Sequence, residues 1–147
     1  MNDEMLKRPV GWWLKEADAQ LNAAFDVALQ GAGADRRSWQ ILNSLSRGPM
    51  PRADVMTALA SFDGPAAVDE ILDLLRAREW VQESDEPLAL TAAGAVQHQA
   101  LAPLVDGVRQ RVAAALPPDD YVTLIELLAR LAKAVSPPAT TNYDVQP

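Results

Sequence analysis

The chain has 147 residues, 49% of them hydrophobic, and 20 Asp and Glu against 13 Lys and Arg give it a formal net charge of −7. That is long enough for one domain with its own core and too apolar for global disorder, and the acidic balance argues against a non-specific nucleic-acid coat while leaving room for a local basic patch. The sequence has no cysteine, which excludes disulfides, thiolate metal sites and thiol redox sensing.

No apolar run reaches the length of a membrane span, and "MNDEMLKRPV" lacks the apolar core of a signal peptide. The expectation is a cytoplasmic protein without membrane contact. After a patternless start ending at Pro9, the segment Gly11 to Gln30 repeats Leu14, Ala17, Leu21, Ala24, Phe25 and Ala28 at helical spacing. "GAG" at 31–33 ends that helix, because glycine tolerates a left-handed cap. Asp35 is placed to cap a second helix through Trp39, Leu42 and Leu45. Pro51 suits the first turn of a third, with Val55 and Leu59 inward.

A fourth helix is predicted from about Pro65 to Arg78, with Val68, Ile71, Leu72 and Leu75 on one face. "WVQESDEPLALT" then reads as two short strands, with Pro87 tolerable at an edge. Thr91 is a cap for a long helix in which Val96, Ala100, Leu104, Val108, Val112 and Leu116 recur, and which Pro103 should kink or split. "PPDD" at 117–120 opens a last helix striped by Tyr121, Leu124, Ile125, Leu128 and Leu131. Residues 137–147 read as a flexible tail.

Four helices, a hairpin and two more helices give a mainly α fold with a small β-hairpin. "SWQILNSLSRG", "PAAVDEILDLLRAREWVQE", "LALTAAG" and "LPPDDYVTLIELLARLAKAV" stand in that order. In order and spacing they resemble the MarR family of winged helix-turn-helix regulators, over roughly residues 10 to 136. The resemblance implies a single MarR-like domain, with a winged helix core at 35–91 flanked by dimerisation helices at 11–31 and 92–136. It also implies a homodimer that binds double-stranded DNA and regulates transcription, commonly as a repressor released by a small aromatic ligand.

A recognition helix lays its outward face in the major groove. Here that face is Ala66, Ala67, Asp69, Glu70 and Asp73, where family members commonly carry Ser, Thr or Arg. The bland reading is a solvated face with Asp73 paired to Arg76. The family wing carries an Asp-x-Arg element, but between Trp80 and Leu88 this chain has Gln82, Glu83, Ser84, Asp85, Glu86 and Pro87. Glu79 stands where the family often has glycine. From Arg36 to Thr91 six arginines face nine carboxylates, a balance of −3. Arg36, Arg37 and Arg52, near helix N-termini, are the candidate phosphate contacts.

Trp13, Trp39 and His98 are candidate ligand-binding residues under the same resemblance, although such tryptophans are commonly core or dimer packing and a lone histidine is commonly structural. Asp119 and Asp120 read as helix-end electrostatics. No phosphate loop, zinc spacing or nucleophile elbow is present, so the reading is of a non-enzyme with no metal and no cofactor. One alternative stays open: a winged-helix homodimer with weakened or lost DNA binding that serves as a protein- or ligand-binding module.

Overall fold

The computed structural model describes residues 3–83, 85 and 87–138. Ser84 and Glu86 of the hairpin, and residues 139–147 of the expected tail, lie outside the described residues. The elements in order are α1 (Asp3–Leu6), α2 (Val10–Gln30), α3 (Arg36–Leu45), α4 (Arg52–Leu59), α5 (Pro65–Ala77), β1 (Val81–Gln82), β2 (Ala89–Leu90), α6 (Ala92–Ala115) and α7 (Pro118–Val135). The short α1 was not legible in the sequence. The chain divides into two compact units, residues 1–108 and 109–147. None of the described helices is long and apolar enough to cross a membrane.

The first unit is built around α3, α4 and α5. Ile41, Leu42, Leu45, Val55, Leu59, Val68, Leu72 and Leu75 form its centre, with Leu29 of α2 and Leu101 and Val105 of α6 in the same cluster. β1 and β2 pair antiparallel, Val81 with Leu90 and Gln82 with Ala89. Met50 adds a third, single-residue strand: it exchanges two backbone hydrogen bonds of 2.9 Å with Leu88. Leu88 is thereby paired on one strand and fully buried.

The helix ends follow from their residues. Asp35 accepts a 2.8 Å bond from the Ser38 backbone N–H, the expected cap of α3. Gly33 takes φ 73° after α2, and the Ala34 and Gly33 N–H groups return to the Leu29 and Gln30 carbonyls. The same motif closes α5, where Trp80 N–H bonds Leu75 O and Glu79 N–H bonds Arg76 O, but the left-handed residue is Glu79 at φ 61°. A side chain with a Cβ is strained there.

Thr91 and Gly94 explain the "LTAAG" stretch. The Thr91 hydroxyl donates to Glu79 O, and the Gly94 N–H donates to Thr91 Oγ1 at 2.9 Å. The start of α6 is thus tied to the end of α5. A Cβ on Gly94 would lie 1.9 Å from the Trp80 carbonyl oxygen, so only glycine permits this approach.

Pro103 does not split α6, which runs unbroken from Ala92 to Ala115. Proline removes one hydrogen bond, a cost of about 3 kcal/mol in a helix interior. Here it points outward while Leu101, Val105 and Val108 are buried on the other side. That packing holds the helix across the missing bond. The Val96 and Leu104 stripe faces away from the core, exposed by 67% and 39%. In the second unit α7 buries none of its residues and leaves Tyr121, Val122, Leu124, Ile125 and Leu127 exposed.

Two substitutions check these end geometries in opposite directions. Gly94→Ala should destabilise by about 2 kcal/mol or more, because the added methyl meets backbone rather than a side chain that can swing away. Glu79→Gly should stabilise by about 1 kcal/mol by relieving the left-handed strain. Urea denaturation midpoints measure both.

Candidate nucleic-acid interface

The turn "SFDGP" between α4 and α5 ends at Pro65, whose missing N–H costs nothing at the first position of a helix. With Val68, Leu72 and Leu75 buried, α5 presents Ala66, Glu70, Asp73, Leu74 and Ala77 to solvent and holds Ala67 and Asp69 half-buried. The outward face is therefore the one expected, with Leu74, 45% exposed, added to it.

Arg52 opens α4 and reaches across this face. Its Nη1 lies 2.5 Å from Asp69 Oδ1, and its Nη2 and Nε lie 2.9 and 3.3 Å from the two oxygens of Glu83 in the hairpin. Arg76 of α5 approaches the same Glu83 at 3.7 Å, rather than serving as the partner expected for Asp73. One four-member network thus joins α4, α5 and the wing. The hydrogen bonds from Arg52 hold the Glu83 carboxyl below its ordinary value, against a smaller opposing effect of burial. Glu83 in turn, and then Asp69, hold the Arg52 guanidinium firmly protonated.

Arg37 and Arg36 are also engaged within the chain. Arg37 meets Asp63 at 2.5 Å and Gln40 at 2.9 Å, with its guanidinium 4.9 Å from the centre of the Phe62 ring. Arg36 donates to Asn22 at 2.8 Å and faces Asp18 at 3.8 Å, while the rings of Phe25 and Phe62 lie 5.0 and 5.4 Å away. Burial and then the neighbouring Arg37 lower its proton affinity. These two arginines fasten the α4–α5 turn and α2 to the start of α3. Sequence position alone marked them as phosphate contacts; apart from Gln40, their side-chain partners Asp18, Asn22 and Asp63 lie 14 or more residues away in the chain and had no local signal.

Sequence reasoning passed over Arg47, which is exposed beyond α3 and makes no ion pair among the described residues. It borders a shallow cavity of about 280 Å³ lined by Ser44, Gly48, Pro49, Met50 and Ala58. The hairpin has no cation between Trp80 and Leu88, and Asp85 is exposed at its tip.

The ligand candidates divide. Trp39 and His98 stack with ring centres 4.8 Å apart and planes 4° from parallel, and His98 Nε2 sits 3.1 Å from Asn43 Oδ1. Trp39 is only 6% exposed. Trp13 instead donates from its indole to Met5 O at 3.2 Å and meets Trp12 edge-on.

No family model matches the sequence, and no curated protein does either. Solved structures match over most of their length. Rv2887, a MarR family protein of Mycobacterium tuberculosis, is 26% identical with a TM-score of 0.63, over 84% of this chain and 94% of that one. A probable transcriptional regulator from Pseudomonas aeruginosa is 25% identical with a TM-score of 0.72, over 86% and 98%. The transcriptional regulator MosR of M. tuberculosis reaches a TM-score of 0.73 at 21% identity, over 87% and 98%, a likeness of fold alone. The chain has the winged-helix fold of the MarR family. Rv2887 has also been crystallised in complex with DNA, with salicylic acid and with p-aminosalicylic acid.

In this winged-helix fold α5 takes the place of the recognition helix and β1–β2 that of the wing, so the Arg52 network lies where helix and hairpin meet. Its pH dependence has a definite sign. A carboxyl held below its ordinary 4.5 stabilises the fold at pH above that value and loses the contribution as pH falls through its folded value. The opening of β1, read from hydrogen exchange after division by the intrinsic chemical rate at each pH, should therefore increase on acidification below about pH 4.5. The acid-induced increase should be smaller in Glu83→Gln, and an equal acid response in both proteins would remove Glu83 from the account.

Proposed function

We propose that this protein is a DNA-binding transcriptional regulator of MarR type, acting as a ligand-responsive repressor. The observation that carries the reading is the complete winged core, with the outward face of α5 solvent-exposed on a fully packed inner face. The DNA and salicylic acid complexes of the similar Rv2887 support it. Loss of DNA binding has less support, since the acidic wing removes one kind of contact and leaves Ala66, Glu70 and Asp73 of α5 exposed.

The protein acts as a homodimer through 11–31 and 92–136, within a single MarR-like domain. α7 buries none of its own residues, and Val10, Trp12, Leu14 and Val27 of α2 are exposed as well. Exposed apolar stripes of this extent mark an interface. Arg47 and Arg76 supply phosphate contacts, and Arg36, Arg37 and Arg52 contribute to the extent that phosphate exchanges with their present carboxylates. A small aromatic ligand binds near Trp39 and His98, with Trp13 contributing. The protein works in the cytoplasm, without catalysis.

Pull-down of fragmented genomic DNA by the purified protein at low salt should enrich a small set of fragments. Recovery of no fragment above background would remove the DNA-binding reading. Leu128→Asp should give a monomeric or insoluble protein by light scattering, whereas a stable dimer from that variant would place the interface elsewhere. Salicylate should quench tryptophan fluorescence and release the enriched fragments.

A further inference from the structure

The face of α5 carries two half-buried or exposed carboxylates in its first two turns, and the structure gives them different tasks. Asp69 is committed to Arg52 at 2.5 Å. Glu70 is exposed and makes no ion pair or side-chain hydrogen bond among the described residues. Ala66 stands four residues earlier on the same line of the helix, also exposed. Four residues rise about 6 Å, and stacked bases about 3.4 Å, so the two side chains address positions one or two base steps apart.

Resting on the DNA-binding reading above, we propose that Glu70 selects a cytosine in the operator half-site and that Ala66 selects a thymine one or two steps from it. The chemistry of the major groove decides the pairing. Guanine offers two acceptors, N7 and O6, which repel a carboxylate. Adenine offers an amine, but its N7 lone pair stands beside it. Cytosine offers the N4 amine next to a C–H, so the carboxylate accepts without an opposing lone pair. Thymine offers a methyl group, which an alanine methyl covers without leaving a polar group unpaired. Asp69 could not do the same work, because turning it to a base would strip Arg52 of a partner.

The test is selection from a random duplex pool by the full-length protein at low salt, run in parallel with Glu70→Gln. Wild type should select half-sites sharing a cytosine with a thymine nearby. Glu70→Gln should change that one position to adenine, which a glutamine pairs bidentately, and leave the remaining positions as they were. Replacing the thymine by uracil, which removes only the methyl, should weaken wild type several-fold and Ala66→Gly by less. On the selected site, cytosine to guanine should cost wild type about tenfold or more in Kd. Selection of the same base by wild type and Glu70→Gln overturns the assignment while leaving DNA binding intact. Retention of no duplex by either protein overturns both this assignment and the reading it rests on.

Discussion

A single guanidinium, that of Arg52, is shared between a recognition-helix carboxylate and a wing carboxylate. Asp69 and Glu83 are 14 residues apart in the chain, and among the described residues neither has another cation as near as Arg52. Without Arg52, the two carboxylates that share it would be left with the more distant Arg76, at 3.7 Å from Glu83, to offset their repulsion. The bidentate contact to Glu83 also uses the planar fork that lysine lacks. The register of β1 against β2, and the Met50 bridge behind it, are therefore held from the solvent side by charge and from the core side by Leu88 and Val81.

This arrangement reverses the meaning of the acidic residues. The hairpin carries Glu83 and no cation to meet a phosphate, and that much is visible in the sequence. What the sequence did not carry is that Glu83 is a structural partner for a cation on another helix. Helix periodicity gave the inward faces of α4 and α5 and the caps at Asp35 and Thr91, because each depends on residues a few positions apart. Contacts such as Arg52 to Glu83, Arg37 to Asp63 and Met50 to Leu88 span 26 to 38 residues and have no periodic signature. The candidate interface was thus legible as a surface, through Ala66 and Glu70, but not as a charge network.

Glu79 and Gly94 show the same division at backbone level. Glycine at 94 could be noticed from sequence as part of "LTAAG", but its cause is the Trp80 carbonyl that the folded hairpin brings against α6. The Glu79 departure from glycine was equally visible, and its cost became plain only with φ at 61°. The strain sits where α5 passes into the wing, and Thr91 accepts part of the positioning by bonding the Glu79 carbonyl. The residues joining helix and wing are held by hydrogen bonds across the joint, so the left-handed turn persists without glycine.

The electrostatics then bear on how such a protein would discriminate between DNA sequences. Non-specific affinity scales with the number of phosphates neutralised. Arg36, Arg37 and Arg52 already have carboxylate partners, so a phosphate gains only the difference between itself and Asp18, Asp63, or Asp69 with Glu83. In the proposed complex the general attraction to any duplex would be reduced accordingly, whereas base contacts from the uncommitted groups on α5 would not be. A low non-specific background with base readout intact raises the ratio between right and wrong sites, which is the quantity a regulator searching a genome depends on. In that complex the carboxylates that occupy Arg36, Arg37 and Arg52 would shift the balance of binding from phosphate attraction to sequence.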